Sequence, residues 1–187
     1  AVGINNAPLQ NNFGSALKAL GRMQEAIEAF GSALKCNPEY TASYNNLGII
    51  FESLGEFEKA LENYRRALEG ELGRTIKTVG AVKEARVHIV IPKRQIFREK
   101  QIKPSASVTL HMQTGRRLSQ EQVSAVVHLV ASSVEGVSPE DVTVVDSIGK
   151  VLARGGGEGF GSLSKGLEHQ RSIEKSLETR VVEILER

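Results

Sequence analysis

Residues 84–146 constrain the fold most, because the spacing of their apolar residues changes twice within one short segment. Apolar and polar residues alternate in 85–91 and again in 106–112, which predicts two half-buried strands. A capping box at Ser119 and Gln122 then starts a helix, and residues 142–146 predict a third strand. The apolar stripe of that helix consists of Val123, Val126, Val127, Val130, Ala131 and Val134. So many β-branched residues disfavour a helix unless it packs against a sheet.

A second helix precedes the strands and is expected to continue toward Thr78. Its apolar residues at helical spacing are Leu68, Leu72, Ile76 and Val79. Gly70 and Gly73 leave a break possible, since each glycine costs a helix roughly 1 kcal/mol relative to alanine. The predicted unit is α-β-β-α-β, with both helices on one sheet face. The polar residues expected on the opposite face are Arg86, His88, Ser107, Thr109 and His111.

The first third of the chain is an internal repeat with a period of 34 residues. Residues 11–35 align with 45–69, and Gly14 aligns with Gly48. Paired helices with this period resemble the tetratricopeptide repeat family. The resemblance implies two helical hairpins in residues 7–69, packed through Tyr44, Leu47, Gly48, Phe51, Ala60, Tyr64 and Ala67. Four residues of the first helices of these hairpins have two possible roles. They either line a peptide-binding groove or have a structural role, and they are Asn11, Asn45, Ile49 and Glu52.

The sheet-forming segment resembles a second family. The stretches ARVHIVIPK, PSASVTL and VVHLVASSVEG are similar to the second ring-building motif of the flagellar M-ring proteins, the FliF/YscJ family. The similarity covers residues 65–153 and extends to EHQRSIEKSLETRVVEILER, which resembles the helix that opens that family's next domain. The resemblance implies a structural subunit of the inner-membrane ring of the bacterial flagellar basal body, on the periplasmic side and around the type III export apparatus.

These observations predict an α+β chain with four parts. Residues 1–69 hold two tetratricopeptide repeats, and 70–153 hold the ring-building motif. Residues 154–163 are a Gly-rich linker, and 164–187 form a helix that belongs to a truncated following domain. The chain lacks a run of 18 apolar residues, so no membrane span is expected in it.

The residues do not suggest catalysis, a cofactor or a bound metal. Cys36 is the only cysteine, and His88 and His111 lack an apparent third ligand. The run 155–161 is Gly-rich but lacks the Gly-Lys-Ser/Thr ending of a phosphate-binding loop, so it is interpreted as a linker. The net charge is +2 and aromatic residues make up 5%, and the basic cluster near residue 98 is too short to indicate nucleic-acid binding. The chain is therefore not expected to be an enzyme.

Two functions remain open from the sequence. The first is a ring subunit that contacts copies of itself, together with basal-body and export-apparatus proteins. A basic edge and an acidic edge at opposite ends of the unit would then meet between neighbours. The residues of these edges are Lys93, Arg94, Phe97, Arg98, Lys100, Lys103, Arg116 and Arg117 on one side and Glu135, Glu140, Asp141 and Asp146 on the other. The alternative is a tetratricopeptide adaptor that binds a peptide or protein.

Overall fold

The computed structural model describes residues 6–92 and 103–154. Its first part is two helical hairpins, formed by α1 (Ala7–Ala19) with α2 (Met23–Cys36) and by α3 (Thr41–Ser53) with α4 (Phe57–Lys77). The turn in each hairpin contains a glycine with φ of 74°, Gly21 in the first and Gly55 in the second. Non-glycine residues rarely adopt this conformation. The predicted hairpins and their repeat are confirmed.

The two hairpins pack through the same pairing of a glycine and an aromatic ring. A Cβ placed on Gly14 would lie 2.8 Å from the Phe30 ring, and one placed on Gly48 would lie 2.6 Å from the Tyr64 ring. Only glycine lets the helices approach this closely. The buried hydrophobic cluster of this region consists of Leu17, Ala26, Ala29, Phe30, Leu47 and Ile50.

Helix α4 is continuous for 21 residues and is shared by the repeats and the sheet. The possible break at Gly70 and Gly73 does not occur. Gly73 instead allows close packing, since a Cβ placed there would lie 2.9 Å from the carbonyl oxygen of Ala85. The C-terminal half of α4 contributes Leu72 and Ile76 to the core beneath the sheet.

Four strands form one sheet in the order β1-β2-β3-β4. They are β1 (Val82–Val90), β2 (Ser105–Met112), β3 (Val142–Asp146) and β4 (Val151–Ala153). Strand β2 is antiparallel to β1 and parallel to β3, and β4 returns antiparallel to β3. The first three strands confirm the prediction, whereas β4 was not predicted. It is only three residues long, which is too short to show an alternating pattern.

Helix α5 (Gln120–Ser133) crosses the sheet between β2 and β3, and the predicted capping box at Ser119 and Gln122 is present. A short 3₁₀ helix, Pro139–Asp141, leads into β3. Helices α4 and α5 share one buried cluster with the inward side chains of the sheet, as expected. The polar strand residues on the other face are exposed or half-buried. The predicted linker 154–163, apart from residue 154, and the predicted helix 164–187 lie outside the described residues.

Candidate functional site: charged surfaces and the α4 junction

Part of the predicted charged surface lies outside the described residues, namely Lys93, Arg94, Phe97, Arg98 and Lys100. The remaining members are all described. Those that are exposed are Lys103, Arg116, Arg117, Glu135 and Glu140. Asp141 and Asp146 are half-buried.

The structure does not separate the two signs of charge at opposite ends of the sheet. Lys103 precedes β2, and the acidic residues Glu135, Glu140 and Asp141 precede β3. Because β2 and β3 are parallel, with Ala106 opposite Val142, these residues lie at the same end. Gly136 confirms this placement, since a Cβ there would lie 3.4 Å from Pro104.

The opposite end of the sheet is also mixed in charge. Arg116 and Arg117 follow β2, and Asp146 ends β3 opposite Leu110. The reason is that α5 crosses the sheet once and returns the chain to the end at which β2 began. Each end of the unit therefore has at least one basic and one acidic residue.

Two of these charged residues also have local structural roles. The Arg116 guanidinium donates a hydrogen bond to the carbonyl oxygen of Gly80 at 2.8 Å, which links the loop after β2 to the loop before β1. Asp141 accepts a hydrogen bond from the Ser138 amide at 3.2 Å and caps the short helix before β3. Both residues therefore stabilise loop conformations, in addition to the subunit contacts predicted for them from the sequence.

The predicted packing residues of the second repeat lie at the interface of α3 and α4. Leu47, Gly48, Ala60 and Ala67 are buried, while Tyr44, Phe51 and Tyr64 are half-buried. The Tyr64 hydroxyl donates a hydrogen bond to Glu52 at 2.7 Å, and this bond raises the pKa of Tyr64. The Lys59 ammonium lies 5.3 Å from the centre of the Phe51 ring, within the range of a cation–π contact.

Asn11, which was considered for a peptide groove, is instead buried between the repeats. Its side-chain oxygen accepts hydrogen bonds from Ser43 and from Asn46, each at 3.1 Å. The Asn46 oxygen in turn accepts one from Lys18 at 3.1 Å. The remaining groove candidates, Asn45, Ile49 and Glu52, are exposed on α3.

Sequence reasoning missed a polar clamp where α4 meets the outer edge of β1. The buried Glu69 carboxylate accepts a hydrogen bond from the Ile89 amide at 2.8 Å and another from Arg65 at 2.5 Å. Arg65 also donates to the carbonyl oxygen of Ile89 at 3.0 Å, and His88 Nδ1 lies 3.3 Å from Glu69. Both outward polar groups of Ile89 are thus satisfied by side chains, which protects an otherwise open strand edge. The spacing of Arg65 and Glu69, four residues apart on α4, was the available sequence signal.

Glu62 extends this clamp along α4. Its carboxylate accepts hydrogen bonds from Arg65 and from Arg66, and the bond from Arg65 lowers the pKa of Glu62 most. The same interaction raises the pKa of Arg65. Arg65 is therefore held charged and oriented toward the β1 edge.

A second set of contacts joins α4 to the start of α3. Thr41 donates a hydrogen bond to Glu71 at 2.6 Å and accepts one from Arg74 at 3.1 Å. Gly70 lies beneath Thr41, since a Cβ on Gly70 would be 2.3 Å from the Thr41 methyl group. The start of α3 is therefore joined to the same half of α4 that packs beneath the sheet.

A cleft of about 240 Å³ lies at this junction. Its floor is α4, one wall is the β1 edge at 85–87, and the other wall is the turn before α3 with Tyr44. The charged residues that line it are Glu39, Arg66, Glu69, Arg74, Lys77 and Arg86.

The two strand histidines do not meet. His88 lies opposite Ser107 in the β1–β2 register, whereas His111 lies opposite Glu84. Within residues 6–92 and 103–154, no cluster of three or more His, Cys, Asp or Glu side chains is arranged to hold a metal ion. None of the helices in these same ranges has the length and apolarity to span a membrane.

Comparison with known proteins confirms both resemblances predicted from the sequence. Residues 53–153 match the family described as secretory protein of YscJ/FliF RBM domain, in which RBM is the ring-building motif. Residues 5–70 match the tetratricopeptide repeat model. The two matches overlap in 53–70, which falls largely on α4.

Relatives of this chain include flagellar M-ring proteins of Salmonella typhimurium and Escherichia coli. Each is 46% identical over 123 residues, covering 66% of this chain and 22% of the relative. A solved fragment of FliF is 44% identical with a TM-score of 0.44, covering 48% of this chain and 57% of the fragment. The chain spans about a fifth of the length of the two M-ring proteins.

Proposed function

Because the chain belongs to the YscJ/FliF ring-building-motif family, we propose that it is a structural subunit of a flagellar M ring. Copies pack side by side through their sheet units, around the type III export apparatus and against other basal-body proteins. The observation that carries this proposal is the family match over 53–153, which includes every described strand and both helices that cover the sheet. The ring lies at the bacterial inner membrane, on the periplasmic side.

The proposed role is structural and not enzymatic. The matched family and its named relatives are ring proteins, and the chain works by presenting surfaces rather than by converting a substrate. We assign residues 70–153 to the ring-building unit and 1–69 to the repeats, with α4 as a helix common to both. Residues 154–163 are then a linker, and 164–187 open a further domain.

Closed ring assembly requires a heterologous interface, in which one surface of the subunit complements a different surface of its neighbour. The charged residues at the two ends of the sheet, with the basic stretch 93–103, are the proposed contacts. Each end has both signs of charge, so several pairs of opposite sign form between neighbours. Exposed pairs of this kind are screened over about 10 Å at 0.1 M salt, so added salt is expected to weaken association.

Sedimentation velocity at matched concentrations tests this proposal. The combined substitution Arg94→Glu, Arg98→Glu and Lys100→Glu is expected to weaken self-association of the full chain. Lys35→Glu is the control, because Lys35 is an exposed cation in the last turn of α2 and does not lie at an end of the sheet. A wild-type chain that stays monomeric at all concentrations and at low salt would contradict assembly by this chain. Equal association of wild type and triple variant would contradict only the charged contacts.

A second candidate function is a protein-interaction adaptor, supported by the tetratricopeptide match over 5–70 and by the exposed α3 residues Asn45, Ile49 and Glu52. This surface would hold a peptide or partner protein while the sheet unit serves as a support. Substituting these three residues by alanine is expected to leave self-association unchanged and to remove partner binding in a pulldown. Loss of self-association in that variant would instead place the repeats in the ring interface.

A further inference from the structure

We propose that Arg65 and Glu69 determine how copies of this chain associate, because they close the β1 edge of the sheet to a strand from a second copy. With this edge closed, copies associate through side chains and not through one continuous sheet. The inference adds to the proposed ring assembly and does not depend on it, since a free strand edge can pair with another copy whether or not a ring forms.

The first argument is the direction of the backbone groups along β1. The Ile89 amide and carbonyl are bound by side chains of α4, so they point away from β2. Backbone groups in an antiparallel pair alternate between the partner strand and the free edge with a period of two. Ala85 and Val87 therefore also direct their amide and carbonyl groups toward the free edge. These three residues form a row to which an extended segment can add by main-chain hydrogen bonds.

The second argument is that α4 blocks both ends of this row. At Ala85 the helix backbone itself lies close to the strand, since a Cβ placed on Gly73 would be 2.9 Å from the Ala85 carbonyl oxygen. At Ile89 the edge is closed by the polar clamp of Arg65 and Glu69 instead. Of the three outward residues, Val87 alone faces the cleft. One accessible residue is too short for a paired strand.

The third argument is that the clamp is held firmly at the edge. The side chains of Arg65 and Glu69 are only 14% and 8% exposed, and their charged groups lie 2.5 Å apart. Arg65 also donates hydrogen bonds to Glu62, which orients its guanidinium. A strand that pairs at Ile89 must displace both charged groups from their partners. Buried charges without partners carry a large desolvation cost, so the clamp opposes strand pairing.

The opposite edge of the sheet is protected by its length. Strand β4 has three residues, and a short edge strand has too few backbone groups to hold a strand of another chain. The two edges of the described sheet are therefore closed by different means. Only the closure of β1 depends on particular side chains, so it can be removed by substitution.

Sedimentation velocity of the full chain at about 1 M salt tests the proposal. Exposed charge pairs are screened over about 3 Å under this condition, which weakens the proposed ring contacts. The double variant Arg65→Ala/Glu69→Ala is expected to associate at least about tenfold more tightly than the wild type. Arg22→Ala/Glu25→Ala is the matched control and is expected to behave like the wild type. It removes an exposed arginine–glutamate pair at the start of α2, within the repeats.

Hydrogen exchange identifies the surface that associates. In the double variant, the amides of Val87 and Ile89 are expected to be about tenfold better protected at high than at low protein concentration. Glu69→Gln keeps an oxygen acceptor for the Ile89 amide and is expected to associate like the wild type. Circular dichroism verifies that each variant is folded. If the double variant does not fold, Arg65→Ala replaces it, because it frees only the Ile89 carbonyl, and a smaller increase in association is expected.

Three results would overturn the proposal. The folded clamp variant associates no more tightly than the control, or it associates without added protection at Val87 and Ile89, or Glu69→Gln associates as tightly as the double variant. None of these results bears on ring assembly, which is measured separately with the wild-type chain at low salt.

Discussion

The sheet unit and the helical repeats achieve their packing by different means. The sheet unit buries a single large cluster, in which Val108, Leu110, Val130 and Val144 are fully buried between the strands and two helices. The repeats have a smaller buried hydrophobic cluster of six residues and depend on the close approach of Gly14 to Phe30. The burial of apolar surface stabilises a protein roughly in proportion to the area buried. The sheet unit therefore contributes most of the stability of the described chain. The repeats are stabilised in addition through α4, whose C-terminal half lies in the sheet core.

The largest expected effect is in the sheet core. Leu110→Ala is expected to reduce the free energy of unfolding by about 2–5 kcal/mol, because it removes a fully buried side chain and leaves a cavity. Leu54→Ala is the control, since Leu54 is 51% exposed, and it is expected to change stability by less than about 0.5 kcal/mol. Urea denaturation followed by circular dichroism measures both. A small effect of Leu110→Ala would contradict the view that this cluster is the main source of stability.

The next effect is at the junction of the two regions. Glu69→Ala leaves the Ile89 amide without its hydrogen-bond acceptor and is expected to cost roughly 1–3 kcal/mol. Glu69→Gln keeps a side-chain oxygen and is expected to retain much of the stability. Hydrogen exchange at the Ile89 amide provides a local measurement and is expected to accelerate most in the alanine variant. Unchanged protection there would show that the clamp does not protect the β1 edge.

Within the repeats, the two equivalent glycines are expected to differ. Gly14→Ala drives a methyl group into the fully buried Phe30 ring and is expected to cost roughly 1–2 kcal/mol after the helix-propensity gain. Gly48→Ala is expected to cost less, because the half-buried Tyr64 ring can move away, at the expense of its hydrogen bond to Glu52. Thermal unfolding of the two variants compares them directly. Equal losses would indicate that the second repeat is packed as rigidly as the first.

The smallest effect concerns Glu62, whose side chain is 50% exposed. Hydrogen bonds from Arg65 and Arg66 lower its pKa, so the ionised form contributes stability that is complete above the unfolded pKa. That contribution is lost as the pH falls through the lowered pKa of the folded state. Glu62→Gln is expected to cost about 0.5 kcal/mol or less at pH 7, and the difference from wild type is expected to shrink below about pH 4. A difference independent of pH in urea denaturation would contradict the ionic origin.

The amino-acid sequence by itself determined the elements whose signals are local. The capping box at Ser119 and the valine stripe after it specify α5, because both depend on spacing within a few turns. The alternation of apolar and polar residues specifies β1 and β2 in the same way, and the 34-residue period of the repeat specifies the two hairpins. The two family resemblances also follow from contiguous stretches, and the comparisons confirm them.

Only the tertiary structure decided how distant parts of the chain meet. Strand β4 has three residues and exists because β3 offers it an edge, so its own sequence contains too little pattern to predict it. The single crossing of α5 over the sheet brings Glu135 to the same end of the sheet as Lys103. The periodicity of apolar residues along the chain does not specify this placement. The hydrogen bonds of Arg65 and Glu69 with Ile89 join residues at least 20 positions apart, and they depend on where α4 lies against β1. Spacing along the chain defines which face of an element is buried, whereas contacts between elements depend on how those faces are brought together in space.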